Sequence, residues 1–195
     1  AVPDLSEAER KALHPYIEKY LRSLSFNADV PEGQSELARV YMALHDTTAA
    51  EDALKTSLQL NPKWVPGLVN LADLYRGTGR DDKGGALLDQ ALRLTPESSD
   101  VLLSKALWLV RQGDSAASLP LLERAWRLTP EISRYAYVYA VALHSAGRSR
   151  DALVVMDAAL VLRPDEQLRQ AAYGIARDAR LDEKMHQYSR VLQDR

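Results

Sequence analysis

Cysteine is absent from all 195 residues, which excludes disulfides, thiolate metal sites, thiol nucleophiles and covalently attached haem. The absence leaves the compartment open, since a cysteine-free chain survives equally well in cytoplasm or periplasm. Long apolar runs are missing too. The longest, Tyr135 to Leu143, has nine residues, far below the ~18 that a membrane-crossing helix requires. Charge of one sign is also lacking: 25 basic residues stand against 27 acidic ones, a net charge of −2. That balance provides no general attraction to phosphate backbones and counts against nucleic acid as a partner. The first ten residues, AVPDLSEAER, carry neither an initiator Met nor a basic patch followed by an apolar stretch, so a trimmed terminus is expected there.

Catalytic and metal-binding patterns are absent in the same way. His14, His45, His144 and His186 lie far apart and form no HExxH pair, so they are expected to be solvated or edge histidines. The segment GTGRDDKGG, Gly77 to Gly85, superficially resembles a phosphate loop, but it has no Lys-Ser/Thr after its glycines and no preceding strand. It reads as a turn between helices. Asp81 and Asp82 stand at a helix start, where the macrodipole favours carboxylates without any acid–base role. No spacing supports a nucleophile, a base and an orienting group together. The expectation is no enzyme, no cofactor and no metal.

What is present is ordinary folded-protein material, 46% hydrophobic and 27% charged, arranged with a long period. Pro62, Pro96, Pro130 and Pro164 are 34 residues apart, each follows a leucine two positions earlier (Leu60, Leu94, Leu128, Leu162), and Gly79, Gly113 and Gly147 repeat at the same interval. The physical reading is a pair of antiparallel helices per repeat. Glycine ends the first helix in a left-handed residue, and proline stops the second. Thr47, Asp81, Asp114 and Ser149 are expected to cap the second helices. Small residues recur where helices approach closely, at Ala38, Ala72, Ala106 and Ala140 and again at Ser57, Ala91, Ala125 and Ala159. Larger apolar residues fill the adjoining holes: Leu37, Leu71 and Tyr139; Tyr41, Tyr75, Leu109 and Leu143; Leu54, Leu88, Leu122 and Met156.

This pattern resembles the tetratricopeptide repeat family over nearly the whole chain. The resemblance implies an all-α, right-handed superhelical solenoid of about eleven helices. Its expected divisions form a single array over 1–195: a degenerate N-terminal capping helix within 5–30, full repeats at 31–64, 65–98, 99–132 and 133–166, and a degenerate C-terminal repeat at 167–195. The first helix, near 5–26, carries a capping box at Ser6 and Glu9, and Pro15 should kink it. Pro120 poses the same problem close to the start of its helix. The last two helices are expected at 166–178 and 181–194, with the register slipping by about one residue.

The stretch RYAYVYAVALHSAGR, Arg134 to Arg148, alternates tyrosines in the manner of a strand. Within the 34-residue frame it is a helix. At 100° per residue, Tyr139 falls ~40° from Tyr135 while Tyr137 falls ~160° or more from both. Two tyrosines should face the core and Tyr137 should face out.

In the family, the first helices line a concave face that commonly holds a peptide. By that resemblance the partner-binding positions here are Arg39, Val69, Asn70, Asp73, Arg76, Leu103, Leu107, Arg111, Arg134, Tyr137, Val141 and His144, with Ser35, Met42, Val110, Leu168, Ala171 and Ile175 on the same surface. The pocket is expected around Tyr137 with Leu103, Leu107, Arg111 and Arg134. The implied partner is a protein or peptide segment with an apolar anchor and a nearby acidic group. Only Asn70 matches the asparagine that family members use to hold a bound backbone, and Ser35, Arg39, Asn70, Asp100 and Ser104 match the chaperone-tail clamp poorly. The phrases SFNADVPEG, VNLADLYRGTGR and RYAYVYAVALHSAGR also resemble the haem-free tetratricopeptide region of large bacterial multihaem cytochrome c-like proteins. That likeness implies a periplasmic docking module that carries no electrons, and without it a cytoplasmic location is expected. The rival expectation is a self-assembling scaffold, in which copies stack through exposed terminal helices. An RNA-reading helical repeat is disfavoured by the 34-residue period and balanced charge.

Overall fold

The computed structural model describes Arg22 and residues 29–193. The expected helix at 5–26, with its Ser6 and Glu9 box and the Pro15 kink, lies outside the described residues. Among those described, ten α-helices follow one another with short turns: α1 Pro31–Ala43, α2 Thr47–Leu60, α3 Val65–Gly77, α4 Gly84–Leu94, α5 Ser99–Arg111, α6 Ser115–Leu128, α7 Ser133–Ser145, α8 Ser149–Leu162, α9 Glu166–Asp178 and α10 Asp182–Gln193. A short 3-10 turn, Asp81–Lys83, precedes α4. The chain divides into two compact units, Ala1–Thr95 and Pro96–Arg195.

The turn that closes each pair is chemically the same. His45, Gly79, Gly113 and Gly147, spaced by 34 residues, all have positive φ (61°, 73°, 85° and 77°), and Arg180 follows 33 residues later with φ 55°. In each case the next amide donates back across the helix end: Asp46 to the Tyr41 carbonyl at 2.9 Å, Arg80 to Tyr75 at 2.8 Å, Asp114 to Leu109 at 2.9 Å, Arg148 to Leu143 at 2.8 Å and Leu181 to Ala176 at 2.8 Å. This wrapping bond satisfies carbonyls that the helix end would leave bare, and it turns the chain sharply enough for the second helix to return along the first. The glycine period marks three of the five turns. At His45 and Arg180 the same conformation is held by residues with a Cβ, and the slip at Arg180 is the one-residue change of register expected near the C-terminus.

Several caps differ from expectation. α2 is capped by Asp46, whose Oδ1 accepts the Ala49 amide at 2.9 Å, and Thr47 is already helical. Asp81 opens the 3-10 turn instead of capping α4, and α8 follows Arg148 without a side-chain cap. Asp114 caps α6 as expected, accepting from Ala117 at 3.0 Å. Two first helices are capped as well, α5 by Ser98 and α9 by Asp165. α6 runs unbroken through Pro120, which lies early enough for the helix to continue past its missing donor.

The two units bury the small residues where the period places them. In the first, Ala38, Ala72, Ser57 and Ala91 are buried, with Leu37, Leu54, Leu71 and Leu88 around them. Ser57 replaces alanine without leaving its hydroxyl stranded: Oγ donates to the Pro31 carbonyl at 3.0 Å and meets Ser35 Oγ at 3.1 Å. Trp64 Nε1 in turn donates to Ser35 at 2.9 Å. In the second unit Ala106, Ala140, Ala125 and Ala159 are buried beside Leu122, Leu143 and Met156. Tyr135 and Tyr139 point into this core, and the Tyr139 ring lies 6.0 Å from that of Trp126. The column Leu37, Leu71, Tyr139 contains a fourth member that its apolar pattern does not announce. Lys105 is buried there and its Nζ lies 4.1 Å from the centre of the Trp108 ring, a cation–π contact that keeps a charged head tolerable at an otherwise apolar position.

One ion cluster ties α2 to α3 and the turn after it. Glu51 pairs with Lys55 at 2.8 Å and with Arg80 at 2.7 Å, and accepts from the Tyr75 hydroxyl at 3.3 Å. The Lys55 hydrogen bond is the largest cause, with Arg80 adding to it, and together they hold the Glu51 carboxyl down from 4.5 to about 2.

These observations generate three expectations. Tyr139→Ala should cost roughly 3–5 kcal/mol and Ala125→Phe roughly 1–3 kcal/mol by overpacking, both read from urea unfolding of the whole chain; a neutral result for either would place the helix crossings elsewhere. Gly113→Ala should cost about 1 kcal/mol, all of it from the backbone, because a Cβ there meets nothing within 4 Å. Because the Glu51 pKa is lower folded than unfolded, its contribution to stability is fully present above about 4.5 and is lost as pH falls toward about 2. The urea midpoint of wild type should therefore fall more steeply than that of Glu51→Gln in an acid titration.

Candidate partner-binding site

In the first unit the expected positions are scattered along two helices. Arg39 is exposed on α1 and pairs with Glu36 at 3.3 Å. On α3, Val69 and Asn70 are half-buried, while Asp73 and Arg76 are exposed and bound to each other at 3.3 Å. Their charges are already partnered within one helix turn. Ser35 is not a surface position, since its hydroxyl belongs to the Ser57 and Trp64 network.

In the second unit Leu107 is half-buried on α5, and Val110 and Arg111 are exposed near its end. Leu103 requires correction: it is only 1% exposed and is a core residue, with no surface to offer a partner. His144, at the end of α7, is half-buried and engaged, its Nδ1 lying 2.9 Å from Ser149 Oγ across the turn into α8. Val141 is exposed on α7.

Arg134 and Tyr137 are different. Both are exposed on α7, Tyr137 at 45%, and both line a cavity of about 670 Å³ completed by Ser133, Asp165, Gln167, Leu168, Gln170 and Ala171. The pocket thus forms with α9 of the following repeat, whereas the sequence pattern points back to Leu103 and Leu107. Register places Leu168 and Ala171 on the same surface; Gln167 and Gln170 lie outside the register positions that assign the concave face. Ile175, assigned to that surface too, is buried.

The α7–α9 cavity has a definite polar character. Asp165 Oδ1 accepts the Leu168 amide at 3.0 Å. That bond, with further help from the Ser133 hydroxyl and the Gln167 amide, holds the carboxyl below the usual carboxylate range. Its acceptor capacity is largely used by the fold itself. The remaining lining offers the Arg134 guanidinium, the Tyr137 hydroxyl and two glutamine amides, a set richer in donors than in free acceptors. Leu168, Ala171 and the tyrosine ring supply the apolar part. A volume in this range accommodates a few side chains.

No other chemistry is assembled nearby. Among the described residues no group of three or more His, Cys, Asp or Glu is placed to hold a metal ion, and no helix is long and apolar enough to cross a membrane.

Comparison with known proteins agrees with this architecture. No curated protein matches the chain in sequence. Among solved structures, the MamA protein superposes with a TM-score of 0.69 at 17% identity, covering 82% of this chain and 88% of its own. YrrB, described as a TPR protein with an unusual peptide-binding site, gives 0.65 at 17% identity over 86% of this chain and 87% of that one. A thermophilic TPR protein of Thermus thermophilus gives 0.66 at 24% identity over 86% and 94%. At these identities the likeness concerns the fold alone. The tetratricopeptide repeat family itself matches residues 35–99 and 103–167, two-thirds of the sequence. With that match, the 34-residue period and the recurring left-handed turn in agreement, the chain belongs to the tetratricopeptide repeat family.

Proposed function

We propose that this chain is a protein-interaction module whose second unit holds an extended segment of another protein in the cavity between α7 and α9. The observation that carries the reading is Tyr137, an aromatic side chain left 45% exposed on a helix whose other two tyrosines are buried, beside an arginine and above a cavity. An exposed tyrosine is inexpensive to order on binding and covers much area, and tyrosine and arginine are enriched among interface hot spots. The lining chemistry narrows the partner. Donors in excess call for acceptors, so the bound segment should bring backbone carbonyls and a carboxylate next to an apolar anchor. YrrB, with the same fold, is described as having a peptide-binding site, which is consistent with this use of the architecture.

The lining suits binding better than catalysis, because its one carboxylate is committed to capping α9 and to the Ser133 hydroxyl. Compartment enters through the partner. If the likeness to the haem-free region of multihaem cytochromes is correct, the bound segment is a sister domain or periplasmic protein, and genes carrying CxxCH motifs should adjoin this sequence.

A display library of extended peptides selected on the whole chain tests the proposal. Selected peptides should pair an aromatic or aliphatic residue with Asp or Glu. Tyr137→Ala should weaken their binding by about 2 kcal/mol, or roughly thirtyfold, with an unchanged melting temperature. Arg134→Glu should reverse the preference for acidic residues. If Tyr137→Ala binds as well as wild type, or unfolds the protein, the site is wrongly placed.

A further inference from the structure

The most exposed large apolar side chains among the described residues lie away from the cavity, on one helix. Val154, Val161 and Leu162 are 66%, 84% and 58% exposed, and Ala158 is exposed between them. All four lie on the side of α8 opposite its buried Ala152, Val155, Met156 and Ala159. The 34-residue period provides an internal control. Where α8 has Val161, earlier second helices have Arg127, Arg93 and Gln59; where it has Ala158, they have Arg124, Gln90 and Thr56. Two of those polar residues have structural work, Gln90 donating to the Pro62 carbonyl at 2.8 Å and Arg124 to Pro96 at 3.1 Å. Alanine cannot reach back in that way. The outer face of α8 has therefore lost the polar pattern of its counterparts and become an apolar stripe, which a solvated helix face does not need.

We propose that this stripe is a homodimer interface, in which α8 of one copy crosses α8 of a second copy antiparallel at Ala158. A two-fold contact must be self-complementary about its centre, and the sequence around Ala158 meets that condition. Val154 stands four residues before the centre and Leu162 four after, so each valine meets the other copy's leucine. Arg150 stands eight before and Glu166 eight after, which brings opposite charges together twice. The one like-charged match, Asp151 with Asp165, is already neutralised inside each copy: Asp151 pairs with Arg148 at 2.7 Å, and Asp165 accepts the Leu168 amide. Glu166 also pairs with Arg169 at 3.0 Å and retains acceptor capacity for a second cation. Alanine at the centre allows the two axes to approach to about 8 Å, at the close end of helix packing. One helix face per copy makes a small interface, so the association should be reversible.

Sedimentation of the whole chain from micromolar to millimolar concentration tests this directly. Wild type should pass from monomer to dimer. Val161→Arg, which installs the residue of the two preceding repeats, should raise the dissociation constant roughly a hundredfold or more by burying an unpaired charge, with no loss of melting temperature. Arg150→Glu and Glu166→Arg should each weaken self-association. Mixed together they should form a heterodimer, because both cross-copy pairs then become complementary again. A wild-type chain that stays monomeric, a dimer indifferent to Val161→Arg, or a mixture with no restored association would each overturn the proposal. So would monomeric protein that floats with phosphatidylcholine vesicles and loses them on Val161→Arg, which would give the stripe to a lipid surface.

Discussion

The constraint on which the two units rest is how closely the second helix of a pair can lie against its neighbours. Ser57, Ala91, Ala125 and Ala159 are all buried, and nothing larger than a serine fits at that recurring point. Close approach there opens holes on either side, and the large apolar columns exist to fill them. The left-handed turn serves the same end, for only a chain that reverses within a few residues can return its second helix at that distance. In the turns after α1, α3, α5 and α7 the carbonyl that accepts the wrapping bond belongs to a residue of a core column, Tyr41, Tyr75, Leu109 or Leu143. Backbone closure and side-chain packing are thus fixed together by one position in each of these repeats.

Where the pattern admits polar groups, the fold supplies partners. Ser57 is a buried hydroxyl in an alanine column and is satisfied by a carbonyl and a second serine. Lys105 is a cation in an apolar column and lies over an indole ring. The last helix, which reads as a mostly polar cap, is fastened by a single carboxylate: Asp157 on α8 accepts both Lys184 and the Tyr188 hydroxyl at 2.6 Å. Tyr188 is buried, and burial together with Asp157 pushes its phenol well above the ordinary range, so it stays a donor at any accessible pH. Removing either partner from such a bond costs more than the bond's net worth, because a buried polar group is left behind. These exceptions specify register as much as they add stability.

The pair α7–α8 combines two surfaces of different character. On α7, Tyr137 and Arg134 border a cavity with bound-in polarity and free donors, suited to an extended segment. On α8, a stripe of aliphatic side chains has no cavity and no free donor, suited to a flat helix face. The two use separate helices and separate residues, so partner binding and self-association need not compete for surface. A module with both properties presents two copies of its binding cavity at once, and a partner carrying two suitable segments would then gain effective concentration without any new contact.

The helix pairs, their turns and the outward tyrosine are legible in the residues alone, because each follows from local chemistry repeated at a fixed interval. A left-handed residue, a chain-stopping proline and a 3.6-residue period act through the backbone of the segment that carries them. Arg134 and Tyr137 are placed on the surface in the same way, since Tyr135 and Tyr139 leave α7 only one way to face. Which neighbour covers or meets each side chain is settled by packing between helices, and the linear pattern does not contain it. Register assigns Leu103 and Tyr137 equivalent positions one repeat apart, yet one is core and the other is exposed. Equivalent positions share an angle on their helix, and burial depends on the size and placement of residues on other helices. The same reason puts the cavity on the α9 side and brings in Gln167 and Gln170. His45 and Arg180 take left-handed conformations that no glycine announces, because the wrapping bond and the packed helices behind it outweigh the small strain of a Cβ.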